Sequence, residues 1–428
     1  ANRWRAAEYP ESSGIWTLAR SANVQVGWSP GGEETSRKFI VSTVDGHGRV
    51  TRTDEQLWGG GSSGTVAVVT TDSSYLEPGP GWNLGLVESV NVTHKRPGVP
   101  QIVRKSSFEY DLATGMKLKE ITAPYSSEYR VESSFENDAF GNRISTTVSA
   151  ADVPARRSWL TYDGLGRFAV AEFNHYGQQV SKVHDWNHFG TALEVSDIDG
   201  VVSQSAADAM GRVYANWTAT GAWDRTVFQI GAGANCPSGT VLNGRTNRGG
   251  QPNSLSCLDV MNREIRTATS GFDGRWIVTD TAYDTQGRVR RVSEPYFEGE
   301  ARYWTTTSYD AIGRLVRVDS AGGDDLWFAY GSNTSGHCGV TGPGVVETIN
   351  ALGQKQVEVR NAMGETETLY DNDCRQVSYH YDSIGNVLEV VGVDRARIRM
   401  TYDAAGRKTS TSDPDKGNWP VSYTHLRA

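Results

Sequence analysis

Four groups of residues in this chain have types and spacings that could do chemistry. Gly60–Gly64 (GGSSG) matches the G-x-S-x-G pattern of a serine nucleophile elbow. That elbow needs a strand before the serine and a helix after it. Here Thr65–Thr71 (TVAVVTT) follows, which is rich in β-branched residues and reads as a strand. The segment also lacks the lysine of a phosphate loop, so it is read as a glycine-rich connection. His175, His184 and His188 cluster in sequence, and the last two stand four apart, a spacing that suits metal binding on a helix. This region reads as β, with His188 inside a turn, so structural or surface roles are expected and no metal is assigned.

Recurrent aspartates suggest paired carboxylates for hydrolysis. Their periodicity argues against it, because an active site needs one constellation rather than a dozen copies. The last group is Cys236, Cys257, Cys338 and Cys374. There is no C-x-x-C pair, which disfavours a zinc site. Cys236 and Cys257 flank a Gly/Asn/Ser-rich stretch; they form a bridge in an oxidising compartment or stay as two free thiols. No catalytic, cofactor-binding or metal-binding residue is assigned.

The aspartates belong to a repeat. The hexapeptide Tyr-Asp-x-x-Gly-Arg/Asn occurs at Tyr162-Asp163 with Gly166 and Arg167, at Tyr283-Asp284 with Gly287 and Arg288, and at Tyr309-Asp310 with Gly313 and Arg314. It returns at Tyr381-Asp382 with Gly385 and Asn386, and at Tyr402-Asp403 with Gly406 and Arg407. Looser copies lie at 45–49, 138–142 and 208–212, and Asn replaces Asp at Asn174, Asn187, Asn350 and Asn361. The turn starts Asp163, Asn174, Asn187, Asp197 and Asp208 step by 11, 13, 10 and 11 residues. Short strands at such spacing with turn signals indicate an all-β array, whereas helical repeats need periods above about 30.

The residue types fit hairpins. Asp or Asn at the first turn position accepts a hydrogen bond from the backbone two residues on. Gly three positions later suits a type I turn followed by a left-handed residue, giving a hairpin with a glycine bulge. Tyr ends one strand, and an aliphatic residue commonly starts the next.

Composition agrees. Across 428 residues there are 47 Gly and 18 Tyr, with 37% apolar and 21% charged residues. That excess suits many turns between half-buried strands. A net charge of −8 disfavours nucleic acid and anionic membranes as partners. No apolar run approaches the ~18 residues of a membrane span. Ala1–Pro10 has no signal-peptide pattern, and with no initiating Met the chain reads as a mature piece or fragment. Asn91-Val-Thr, Asn216-Trp-Thr and Asn333-Thr-Ser are glycosylation-type tripeptides, read as chance in a bacterial protein. The organisation expected is an irregular β-rich region over 1–104, a repeat sheet over 105–419 with a loop-rich insertion at about 213–258, and an atypical tail over 420–428. Within the insertion Gly244–Ser254 reads as a loop, and a soft boundary is placed near Gln101–Lys105.

These motifs resemble the Rhs/YD-repeat family, over roughly residues 105–419. Gly271–Phe297 (GFDGRWIVTDTAYDTQGRVRRVSEPYF) is similar to the shell-forming toxin-complex and virulence-plasmid toxin-B-related members, and Ser412–Trp419 (SDPDKGNW) to their inter-repeat segment. The resemblance implies hairpins spiralling into one long antiparallel sheet that is part of a hollow shell. It implies as partners the rest of that shell, an encapsulated C-terminal toxin domain and a toxin-complex subunit, with a secreted or cell-surface location in a bacterium. The family's closing segment with its aspartyl self-cleavage site is not seen, and no toxin domain follows. Val421–Ala428 (VSYTHLRA) matches no repeat and resembles adapter-derived sequence. The alternative function is a cell-surface adhesion or glycan-binding repeat, with the 13 Trp among its sugar-stacking aromatics; cross-strand packing is the favoured role for them.

Overall fold

Strand residues and turn residues alternate along this chain, and the computed structural model shows an antiparallel meander. It describes residues 2–8, 11–12, 15–16, 20–28, 34–59, 65–77, 85–151, 153–403 and 405–421. The GGSSG segment and residues 422–428 lie outside the described residues. Among the described residues, 34 strands belong to one hydrogen-bonded sheet, and Glu11–Ser12 with Ile15–Trp16 make a separate two-stranded ribbon. The helical elements among the described residues are two single 3-10 turns, Gly331–Asn333 and His337–Gly339. None of them is long and apolar enough to cross a membrane. The fold is therefore all-β and antiparallel.

One compact unit comprises residues 1–137, 146–156 and 328–428. Its first strands are long: Arg20–Trp28, Glu34–Val44, Val50–Gly59, Thr65–Tyr75, Val87–Lys95 and Ile102–Tyr110, each paired with the next. Ile102–Tyr110 also pairs with Lys117–Thr122, so the boundary expected near Gln101–Lys105 falls at the start of a strand bonded along both edges. Its later strands are shorter, from Val345–Asn350 to Gly417–Pro420, and again each pairs with its neighbour in sequence. Val421 extends this ladder by donating to the Thr409 carbonyl at 2.8 Å.

The second unit comprises residues 138–145 and 157–327. Where a loop-rich insertion is expected, Val213–Thr218, Trp223–Ile230, Leu242–Arg248 and Ser254–Leu258 continue the meander. Gly244–Arg248, read from sequence as loop, is strand. Seven consecutive residue pairs join Leu242–Arg248 to Trp223–Ile230, and the Phe228 ring packs beside Gly244. The tertiary ladder here outweighs the poor strand propensity of Gly and Asn. Burial alternates along Ser254–Leu258, Glu264–Ser270 and Trp276–Tyr283, as expected when successive side chains point to opposite faces. Leu255, Cys257, Ala268, Trp276, Val278 and Tyr296 form the buried cluster on one face.

Candidate functional site

The repeat turns are the sites that recur most often, and each is built from local hydrogen bonds. At Asp310 the backbone N–H donates to the Arg314 carbonyl at 2.9 Å, and Gly313 N–H donates back to the Asp310 carbonyl at 3.0 Å. Oδ1 of Asp310 accepts from the N–H groups of Ile312 and Arg314, and Oδ2 accepts from Arg314 Nε at 2.8 Å. Gly313 has φ +92, a conformation that a Cβ disfavours. Asp284, Gly287 and Arg288 make the same pattern, and at Asp403 and Gly406 the Arg407 N–H and Nε bind the carboxylate in the same way. At Asp382 and Gly385, Asn386 supplies the donor to Oδ2. The turn at Asp163 is one residue longer: its N–H donates to Phe168, while Gly166 keeps φ +65 and Arg167 pairs with the carboxylate. Tyr162 sits in the adjoining ladder opposite Ala169.

The residue four positions on is chosen by chemistry. Asp can only accept, and at most turns it meets Arg or Asn, which donate. Asn at the same position donates through Nδ2 to an acceptor at three turns: Gln178 after Asn174, Gln354 after Asn350 and Glu365 after Asn361. Asp197, followed by Val201, and Asn187, followed by Thr191, depart from this pattern. Asn262 and Cys374 stand where other turns carry glycine, with φ +58 and +61.

Tyrosine does more than end a strand. Its hydroxyl donates to a backbone carbonyl at the start of an earlier strand: Tyr75 to Val50, Tyr283 to Glu264, Tyr309 to Val289, Tyr381 to Thr366 and Tyr402 to Val387, over 2.6–2.9 Å. Each acceptor is the residue immediately after an earlier turn. The arginine of that turn lies over the same ring in three cases: Arg49 over Tyr75 at 4.9 Å, Arg263 over Tyr283 at 4.4 Å and Arg288 over Tyr309 at 4.4 Å. Arg288 thus holds Asp284 in its own turn and Tyr309 in a later one. At Tyr283 and Tyr309 the motif ties a later hairpin to an earlier turn through one cation–π contact and one hydrogen bond, and at Tyr381 and Tyr402 through the hydrogen bond.

The second unit also buries an ionic hub. Arg266 donates to Asp280 through Nε (2.6 Å) and Nη2 (2.9 Å), Tyr296 OH donates to Asp280 Oδ2 at 2.7 Å, and Arg302 Nη1 stands 3.1 Å from the same oxygen. Burial would raise the Asp280 carboxyl, but hydrogen bonds from Arg266 and Tyr296 outweigh it and hold it below the ordinary aspartate value. Burial and the adjacent carboxylate push the Tyr296 phenol up. With its carboxylate ionised and gripped from three sides, the hub is built to hold strands Glu264–Ser270 and Trp276–Tyr283 to the Tyr296 segment, not to move a proton.

The structure scatters the three histidines. His184 Nε2 contacts Ser196 Oγ at 3.0 Å, His175 packs on Tyr176, and His188 lies in the Asn187 turn. Cys236 and Cys257 are bonded, and so are Cys338 and Cys374, for which the sequence suggested no partner. Among the described residues, the one group of three His, Cys, Asp or Glu side chains with ligand atoms close enough for a metal is His337, Cys338 and Cys374. Its two cysteines are 36 positions apart, so no short spacing motif exposes it.

The fold and turns define the class: an all-β antiparallel meander whose hairpins close through Asp- or Asn-initiated glycine turns. Residues 381–417 match the RHS Repeat family. The structure resembles the crystal structure of TcdB2-TccC3 with a TM-score of 0.74 at 13% identity, covering 97% of this chain and 30% of that one. The chain is also similar to double-stranded DNA deaminase toxin A of Burkholderia cenocepacia (strain H111), 31% identical over 124 residues, 26% of this chain and 8% of that relative. This chain therefore spans under a third of the TcdB2-TccC3 chain, and the alignment covers under a tenth of the toxin.

Proposed function

We propose that this chain is a wall segment of an Rhs-type shell that encloses and helps deliver a toxin domain lying outside these 428 residues. The observation that carries the reading is the likeness to TcdB2-TccC3 along 97% of the chain. Two further features support it. Tyr75, Tyr283 and Tyr309 each tie a later strand to the arginine of an earlier turn, as a continuous wall requires, and one relative, 31% identical over 124 residues, is itself named a toxin. On this reading the chain is not an enzyme; its partners are the rest of its shell, the cargo and a toxin-complex subunit, and it works secreted or at the cell surface. A sheet whose strands are paired on both edges also limits the open edges through which chains aggregate.

The test is limited proteolysis of the full-length gene product. The repeat region and any domain encoded beyond it should co-purify, with the distal domain resisting protease until the repeats are unfolded. A distal domain cleaved as fast as it is when expressed alone, or a frame that ends without one, contradicts encapsulation.

A second reading, glycan binding, draws on a cavity of about 830 Å³ lined by Arg104, Lys105, Tyr125 and Tyr129. Tyr125 is 83% exposed, with the Lys105 ammonium 4.5 Å from its ring. A glycan array with the wild-type chain and Tyr125→Ala tests it; signals equal to background, or unchanged in the variant, discard it.

A further inference from the structure

Residues 331–344 of the first unit form a loop ahead of strand Val345–Asn350, anchored at one buried carboxylate. Ser335 donates to Glu347 through its N–H and its hydroxyl, both at 2.5 Å, and Lys355 Nζ stands 3.3 Å from the same carboxylate. Glu347 is 1% exposed, so these partners hold that end of the loop firmly. Just beyond the anchor, His337 and Cys338 meet the turn at Asp371–Arg375. His337 Nε2 is 3.1 Å from the Asn372 carbonyl and 3.9 Å from Cys374 Sγ, and Cys338 is bonded to Cys374 with Cα atoms 5.3 Å apart. One imidazole nitrogen and both sulfurs lie within 4.8 Å of one another.

We propose that reduction of the Cys338–Cys374 bond turns these three side chains into a zinc(II) site. Zinc takes thiolate sulfur at about 2.3 Å and imidazole nitrogen at about 2.0 Å in tetrahedral geometry, which places two sulfurs roughly 3.7 Å apart. Opening the bond needs only that much separation. The loop stays in place while it happens, because Ser335, Glu347 and Lys355 do not depend on the bridge. Cys374 lies at the surface, leaving the fourth position to water. The chemistry balances. A dithiol reductant passes two electrons and two protons to the bridge and becomes a disulfide itself; the two thiols then give up their protons as zinc binds their thiolates. The same two cysteines thus serve as a bridge in oxidising surroundings and as metal ligands in reducing ones. Cys236–Cys257 is the internal control, since Cys257 is fully buried and that pair belongs to no such ligand group among the described residues.

The experiment uses the full chain, oxidised or reduced with a phosphine, desalted without oxygen and titrated with zinc(II) against a chromophoric chelator. Cobalt(II) in place of zinc reports thiolate ligation by its sulfur-to-metal absorption. One zinc per reduced chain, none per oxidised chain, and a cobalt–thiolate band are expected. Cys374→Ser and His337→Ala should each weaken binding by at least about tenfold, while Cys236→Ser/Cys257→Ser leaves it unchanged. A reduced wild-type chain that takes no zinc, equal uptake by the oxidised chain, or uptake indifferent to Cys374→Ser and His337→Ala overturns the proposal. The wild-type cobalt spectrum decides the matter even where a variant fails to fold.

Discussion

The guanidinium of Arg96 grips the carboxylate of Glu365 through two parallel hydrogen bonds of 2.9 Å each, although the two stand 269 positions apart. Within the first unit this pair, with Arg104 Nη2 donating to the Ala405 carbonyl at 3.2 Å, brings the early long strands against turns of the later repeats. Asn361 Nδ2 donates to the same Glu365 carboxylate, so a repeat turn and a distant cation share one acceptor. The Arg96 side chain is 9% exposed. Glu365→Ala strands that charge, and should cost about 3 kcal/mol in urea unfolding. Arg96→Ala and the double variant complete a cycle with a coupling of at least about 1 kcal/mol. Strict additivity would show that the contact contributes nothing to holding the unit together.

The interlock gives a graded series at one ring. Tyr309→Phe removes the hydrogen bond to Val289 and leaves the stack with Arg288, so a loss of about 1 kcal/mol is expected. Tyr309→Ala removes both and should cost about 3 kcal/mol or more. No loss for Tyr309→Phe, measured by thermal or urea unfolding, would mean that the hydroxyl is idle, and equal losses for the two variants would mean that the ring stack is.

Gly313 sits at φ +92 between Asp310 and Arg314. Gly313→Val puts a β-branched residue into the left-handed region and should destabilise by about 1–3 kcal/mol. Calorimetry that shows an unchanged melting temperature contradicts the glycine-bulge hairpin.

Acid should act through the turn carboxylates. At Asp310, burial alone would raise the group, but hydrogen bonds from the Arg314 side chain and backbone outweigh it and hold it below the ordinary value of 3.8. Asp284 follows the same balance with Arg288, and at Asp259 the Arg263 side chain is the leading cause of the downward shift. A carboxyl depressed in the folded state stabilises it above the unfolded value, and that stability is lost as pH falls through the folded value. Melting temperature should therefore fall steeply below about pH 4. A melting temperature that rises on acidification contradicts the direction assigned to these groups.

Much of this protein is legible in its residues. The step between Asp163, Asn174, Asn187, Asp197 and Asp208 marks the turns, and Gly313, Asp310 and Arg314 specify the conformation of one of them. Those interactions span at most five positions, where covalent geometry alone brings the partners together. The pairing of Asp with Arg, and of Asn with Gln or Glu, is local for the same reason.

What the chain's order could not disclose lies between residues that only the assembled sheet makes neighbours. The ring of Tyr309 meets Arg288, and its hydroxyl meets Val289 20 residues back, because the paired strands bring one turn beside an earlier one. Gly244–Arg248 becomes strand through its ladder to Trp223–Ile230 rather than through its own propensity. Cys338 reaches Cys374 because a loop is pinned at Glu347, and Arg96 reaches Glu365 because distant strands pack in one unit. Hydrogen bonds within a turn depend on a handful of dihedral angles. Contacts across 36 or 269 positions depend on the summed twist and register of every strand between, and only the tertiary structure decides that sum.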